Sequence, residues 1–186
     1  MCRTSTSTPT FPTICLKSNL LVLVIGIDPG SQRTGWGVVC EASGVLSLID
    51  CGIIRTPSKE EVFSRRLAHI YHELSAVLLR YTPLEAAIED VFVDKNSKSA
   101  LKLGQARGVA VAACAARDIP VHDYAPALVK KTLVGTGRAE KEQVAFMVKT
   151  FLHLREMSFP LDTSDALGIA ICHLSLRTTA AKFGVR

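Results

Sequence analysis

The sequence predicts an α/β fold, a five-stranded mixed sheet with helices on both faces, built as one domain. Three observations lead there. A length of 186 residues suffices for one core of ordinary size. Hydrophobic residues make up 48% of the chain and aromatics only 6%, a balance typical of a globular α/β protein. Three strand-like runs come first; after them, helical and strand-like segments alternate.

Leu21 to Asp28 is a continuous apolar run, the mark of a strand buried on both faces. Gly35 to Cys40 and Val45 to Ile54 are the next strands, with turns punctuated by Gly30 and Gly44. Glu60 to Tyr81 carries Phe63, Leu67, Ile70, Leu74, Val77 and Leu78 at helical spacing. Leu84 to Phe92 is a fourth strand. Ser97 to Arg117 is a long helix whose Ala100, Leu101, Gly104, Gly108, Ala112 and Ala115 form a small-residue face suited to close packing. Ile119 to Tyr124 is the fifth strand. Pro126 opens a helix to Leu133, where its missing N–H costs nothing. Ala139 to Leu152 is another helix, and Asp162 or Thr163 is positioned to cap a last one reaching Leu176.

Residues 1–20 are rich in Ser, Thr and Pro and read as a disordered extension. The apolar run that follows is too short for a bilayer, which takes about 20 residues, and it ends in Asp28 with no cleavage site. The folded domain is therefore placed at 21–177, with 178–186 as a short tail. Cys2, Cys15, Cys40, Cys51, Cys114 and Cys172 lie at wide, irregular spacings with no C-x-x-C pair. They give no support to a zinc site and fit a reducing, cytoplasmic setting. An organelle-targeting peptide is the other reading of the Ser-rich, acid-poor extension.

The net charge of +5 is unevenly spread. Between Lys95 and Lys141 nine Lys and Arg face three acids, so this segment holds the whole excess. Such a basic region is the footprint of a nucleic-acid partner, or simply a solvated helix face. Lys98, Lys102 and Arg138 are candidate phosphate contacts on this argument.

Four carboxylates could converge. Asp28 ends the first strand. Glu89 shares a strand face with apolar Ala87 and Val91, which favours a functional acid. Asp162 and Asp165, three apart, project from one face of a helix's first turn, where acids also complement the helix dipole. Pairing the first and fourth strands would bring Asp28 beside Glu89, and the last helix could add the other two. Clustered carboxylates repel unless a cation neutralises them, and hard oxygen donors select Mg²⁺ or Mn²⁺. Two such ions about 4 Å apart suit phosphodiester hydrolysis.

GIDPGSQRTGWGV, IEDVFVDKNSKSALKLGQARGVA, YAPALVKKTLVGTGRAEKEQV and DTSDALGIAICH resemble, in order and at comparable spacing, the Holliday junction resolvase RuvC family. The resemblance runs from Val24 to about His173. It implies an RNase H-like fold, a homodimer and Mg²⁺-dependent paired nicking of four-way DNA junctions in recombination and repair. It also implies work alongside a RuvA–RuvB branch-migration complex. The family's acids carry over to Asp28, bridging two metals, Glu89 on one of them, and Asp162 with Asp165 on the other. Phe92 matches an aromatic that stacks on an unpaired base, and Lys130 and Lys141 match basic residues of DNA binding or catalysis. The helix from Ser97 would contribute to the dimer interface. Thr163, Ser164, Gly168, Asp94 and Lys98 depart from the common family pattern without removing a metal ligand.

His173 reads as a helix-face residue, while His69, His72, His122 and His153 gain no role. Three other function classes compete. An actin-like ATPase would explain Gly26 to Gly30 but needs two such domains and leaves Glu89 without a purpose. An RNase H-like nuclease acting on RNA is compatible with the acids. A non-catalytic nucleic-acid-binding domain would be handicapped by them.

Overall fold

The computed structural model describes residues 21–56, 62–90, 97–154 and 160–183. Strands β1 (Leu21–Asp28), β2 (Arg33–Ala42) and β3 (Val45–Arg55) form an antiparallel meander. Helix α1 (Phe63–Tyr81) then carries the chain to β4 (Glu85–Glu89), which pairs parallel to β1. Helix α2 (Ser97–Ala115) leads to β5 (Val121–Tyr124), parallel to β4. The sheet order is β3-β2-β1-β4-β5, the mixed five-stranded sheet the pattern predicted, with β1 and β4 side by side. Helices α3 (Pro126–Val134), α4 (Lys141–Phe151) and α5 (Leu161–Phe183) complete the chain.

Strand alternation divides the core in two. Leu23, Ile25, Ile27, Ala86 and Ile88 point to the face covered by α1 and α2. Val22, Val24 and Ala87 point to the other face, where Leu167, Ile169, Ile171 and Leu174 of α5 pack. Each fully buried Val, Leu or Ile among them contributes about 1.5–3 kcal/mol through burial, the alanines less. Asp28 and Glu89 continue the second set by strand alternation, so both carboxylates open toward α5.

Three glycines let α5 lie directly on the sheet. Gly26 and Gly37 are cross-strand partners, and Gly35 is the partner of Asp28. A Cβ on Gly26 would overlap the Ala166 carbonyl oxygen and come 2.8 Å from the Ala170 nitrogen. One on Gly35 would overlap the Asp162 carbonyl oxygen, and one on Gly37 would meet the Leu167 side chain at 2.5 Å. Helix backbone is in the way at Gly26 and Gly35, and the Leu167 side chain at Gly37, so the first two positions cannot take a side chain without moving the helix and the third only by displacing Leu167.

The structure corrects two helix starts. α5 begins at Leu161, not with Asp162 or Thr163 as its cap. The Pro160 carbonyl accepts from the N–H groups of Thr163 (3.0 Å) and Ser164 (3.1 Å), which shifts the first turn back and places Asp162 inside it. α4 begins at Lys141 rather than Ala139, because Glu140 caps it reciprocally with Gln143. The last helix also runs beyond Leu176, through Phe183. Gly168, inside that helix, faces Leu133, Val129 and Val148. Its missing side chain makes room for α3 and α4, which offsets its poor helix propensity.

Cys40, Cys114 and Cys172 are buried and Cys51 is half-buried, none of the four in a disulfide. Burial pushes the Cys114 thiol up to about 12, as for an inert small hydrophobe. Cys2 and Cys15 lie outside the described residues.

Gly26→Ala should cost about 1–3 kcal/mol of stability, as overpacking of a tight contact does, and weaken any activity that needs α5 in place. Chemical denaturation of the purified variant checks the first, and a variant as stable as wild type would contradict it.

Candidate active site

Asp28 leaves β1 at its last residue, and the chain turns away at once. Thr34 Oγ1 donates to the Gly30 carbonyl at 3.0 Å and closes that turn. A side chain at Gly30 would overlap the Arg33 carbonyl. Arg66, buried in α1, donates to the Ser31 carbonyl and ties the turn to the far layer. The carboxylate is thereby held at the strand end with no side chain opposite it, since its partner on β2 is Gly35.

Of the four acids named from the sequence, the structure brings three together in one cleft; Asp162 lies outside its lining, near enough for its charge to act on Lys141. Asp28, Glu89 and Asp165 line a cleft of about 340 Å³, with Lys130, Lys141, Pro126, Val129, Val144 and Ile169 as the other walls. Asp162 is half-buried at the edge, its Oδ2 3.6 Å from Arg33 Nη1. Lys141 Nζ donates to Asp165 Oδ2 at 3.1 Å. That bond, more than the surrounding negative charge, raises the Lys141 ammonium above its ordinary value.

The electrostatics of the cleft are those of carboxylates forced together. Burial lifts Asp28 well above the usual carboxylate range, and the charges of Glu89 and Asp165 lift it further. Glu89 is raised mainly by burial and then by Asp165. In the metal-free protein the Asp28 carboxyl keeps its proton and donates it to Glu89, as two acids sharing a site do. Lys141 opposes the rise at both residues, and Lys130 at Glu89.

The other residues named from sequence are more dispersed. Arg138 is exposed in the connection between α3 and α4. Lys98 and Lys102 are exposed on α2, with Lys102 Nζ 5.6 Å from the centre of the Phe63 ring. Phe92 lies outside the described residues, as does Lys95. Arg33 is a neighbour that sequence reasoning missed; its only sequence signal was a basic residue shortly after the Asp28 turn. Thr163 and Ser164 are buried between the two helix acids, and their hydroxyls find no hydrogen-bond partner among the described residues.

A carboxyl raised by folding contributes stability that is fully present below its unfolded value of 3.8 and is lost as pH climbs toward the raised one. Metal-free protein should therefore melt lower at pH 8.5 than at pH 5.5 by this contribution. Asp28→Asn should raise the melting temperature at pH 8.5 by at least about 2–4 °C, the equivalent of 1 kcal/mol in a domain of this size, with a smaller gain at pH 5.5. Melting curves in chelator check it; an equal or larger gain at the lower pH would contradict it.

Known proteins resemble this chain closely. The family profile described as "Crossover junction endodeoxyribonuclease RuvC" matches residues 24–173. The protein of that name from Oleidesulfovibrio alaskensis is 59% identical over 156 residues, spanning 84% of this chain and 92% of the relative. The one from Nitratidesulfovibrio vulgaris (Hildenborough) is 60% identical over the same shares. Among solved structures, T. thermophilus RuvC in complex with Holliday junction substrate superposes with a TM-score of 0.79 at 34% identity, covering 86% of this chain and 96% of that one. The yeast mitochondrial Holliday junction resolvase shares the fold, with a TM-score of 0.57 at 13% identity, over 87% and 84% of the two chains. The sheet order, the paired β1 and β4, and this similarity together give an RNase H-like fold. The chain belongs to the crossover junction endodeoxyribonuclease RuvC family.

Proposed function

We propose that this protein resolves four-way DNA junctions by paired, symmetric hydrolysis of two strands, in recombination and repair. The observation that carries the reading is the convergence of Asp28, Glu89 and Asp165, with Asp162 at the rim, in one cleft walled by Lys130 and Lys141. Membership of the family supports the substrate class.

The donor set fits a hard divalent cation: carboxylate oxygens, buried at a cost that their mutual repulsion increases. Asp28, Glu89, Asp162 and Asp165 are the residues that would hold two Mg²⁺ ions, with Mn²⁺ able to take their place. Bound there, the ions would supply an activated water and stabilise charge on the attacking and leaving oxygens. Asp28 and Glu89 would have to release the proton they share for an ion to be held there, so binding would weaken as pH falls. The Asp162–Arg33 contact is long and half-exposed, worth about 1 kcal/mol or less, so Asp162 is readily released toward the cleft. Lys141 holds Asp165 in place and, with Lys130, offers positive charge to a phosphate backbone. Exposed Arg138, Lys98 and Lys102 extend that charge beyond the cleft. Phe92, three residues after Glu89, is the candidate for stacking on an unpaired base.

A two-fold symmetric substrate calls for a two-fold symmetric enzyme. α2 offers a surface for it. Ala106, Ala110, Ala113 and Cys114 face the protein's own core, whereas Leu101, Gly104, Gly108, Ala112 and Ala115 face outward. Leu101 is 65% exposed, and nothing lies within 4 Å of a Cβ placed on Gly104 or Gly108. This stripe fits the homodimer contact. We place the enzyme in the cytoplasm with a RuvA–RuvB branch-migration complex as its partner. Among the described residues, no helix is long and apolar enough to cross a membrane.

The test is incubation with a synthetic four-way junction, a linear duplex and a structured RNA, with and without Mg²⁺. Symmetric nicks confined to the junction and dependent on the ion are expected; cleavage of RNA alone would replace this reading with that of an RNA-directed relative. Asp28→Asn and Glu89→Gln should each lower cutting by more than about a hundredfold, or ~2.7 kcal/mol in the barrier, while junction binding survives. Equal loss of binding in a gel-shift assay would show that these acids hold the fold instead. Leu101→Asp should yield a monomer by light scattering and single rather than paired nicks. A variant that stays dimeric would move the interface off α2.

A further inference from the structure

We propose that Glu85, His122 and His173 form a separate Zn²⁺ site at the opposite end of β4 from the acidic cleft. The two sites are well apart. Glu85 begins β4 and Glu89 ends it, roughly 13 Å along an extended strand. His173 lies eight residues after Asp165 on α5, about 12 Å along the helix axis.

Three elements contribute one donor each: Glu85 from β4, His122 from β5 and His173 from α5. Their ligand atoms all lie within 4.8 Å of one another. Glu85 Oε2 is the common point, 2.7 Å from His173 Nε2 and 3.5 Å from His122 Nε2. Tetrahedral zinc with bonds of about 2.0–2.1 Å separates its donors by roughly 3.3–3.5 Å. The Glu85–His122 distance already has that value, and the Glu85–His173 contact needs to open by somewhat less than an ångström. The two imidazoles lie with centroids 4.6 Å apart, so both rings come to the carboxylate from the same side.

The surroundings also suit a metal centre. His173 Nδ1 is 2.7 Å from the Tyr124 hydroxyl. With Nε2 on a metal, Nδ1–H would donate to that oxygen, the outer contact that fixes a ligating imidazole's tautomer. Burial lowers the His173 pKa despite the neighbouring carboxylate, so the ring is in its neutral, ligating form near pH 7. Arg177 Nε donates to Glu85 Oε1 at 3.0 Å, which orients the carboxylate and leaves Oε2 for the ion. Burial works to raise Glu85, but the bonds from His173 and Arg177 outweigh it and keep the acid ionised. The Arg177 charge also weakens any cation here, so a hard, weakly held Mg²⁺ is disfavoured against an ion that bonds imidazole nitrogen. The His122 side chain is 44% exposed, which provides an entry path and an open fourth position for water. A hydrogen-bonded buried pair would account for Glu85 and His173 alone; it does not account for His122 bringing a second imidazole nitrogen to the same oxygen.

Occupied, this site would pin the edge strand β5 to β4 and α5 without touching the cleft. The experiment uses untagged full-length chain carrying Asp28→Asn and Glu89→Gln, so that zinc cannot be held by those acids. Competition with a chromophoric chelator should show one Zn²⁺ per chain, and zinc should raise the melting temperature. Adding His122→Ala, a surface change, should weaken binding at least tenfold and abolish the thermal shift, while leaving the zinc-free melting temperature unchanged. In the otherwise wild-type chain, His122→Ala should cut junctions normally in Mg²⁺. Absence of zinc binding, or binding unaffected by His122→Ala, would overturn the proposal.

Discussion

The close approach of α5 to β1 and β2 is the contact on which the rest of the molecule depends. The helix backbone rests on Gly26, Gly35 and Gly37, with Asp162, Ala166, Leu167 and Ala170 directly above them. A methyl group at Gly26 or Gly35 would lift the helix off the sheet, and one at Gly37 would displace the Leu167 side chain. This one contact seals the second core cluster, because Leu167, Ile169, Ile171 and Leu174 reach their neighbours only from that height. It also sets the distance between acids that are far apart in sequence. Asp28 lies beside Gly35 on the sheet, and Asp162 and Asp165 sit on the first turn of the helix that Gly35 admits.

The packing that assembles the site also loads it with unfavourable charge. Three carboxylates share a half-buried cleft, and the protein answers with Lys141 on Asp165, Arg33 on Asp162 and a proton held between Asp28 and Glu89. These are partial answers. Lys130 and Lys141 offset two of the three carboxylates and the shared proton offsets the third, so the cleft that a DNA backbone must approach turns negative once that proton leaves, and a divalent cation would then take its place. Stability is thus given up at the place where chemistry is needed, a common arrangement in sites whose pKa values are displaced by burial and like charges.

Much of this was legible in the sequence. Apolar runs, the helical period of α1, and turn and cap residues located all ten elements, and the continuous apolar run of β1 marked it as central. The four acids stood out because Glu89 broke an apolar strand face and because Asp162 and Asp165 shared a helix turn. Helix starts were less legible: capping by Glu140 and by the Pro160 carbonyl depends on backbone geometry that residue identity does not encode. The glycines were read as turn and nucleotide-loop signals, since Gly26 and Gly30 stand near a strand end. The packing role of Gly26 appears only when a helix about 140 residues later is laid across it. The Glu85–His122–His173 group was invisible for a related reason. Its members come from three elements with no ligand spacing between them, and only the parallel register of β4 and β5 under α5 joins them.

The central claim is that this helix-on-sheet contact builds a cleft completed by divalent cations. Anomalous diffraction from crystals of the protein grown with Mn²⁺ tests it most directly. Anomalous peaks are expected in the cleft, bounded by Asp28, Glu89 and Asp165, with Asp162 turned from Arg33 toward them. A cleft without an ion, at Mn²⁺ concentrations that support junction cutting, would contradict it.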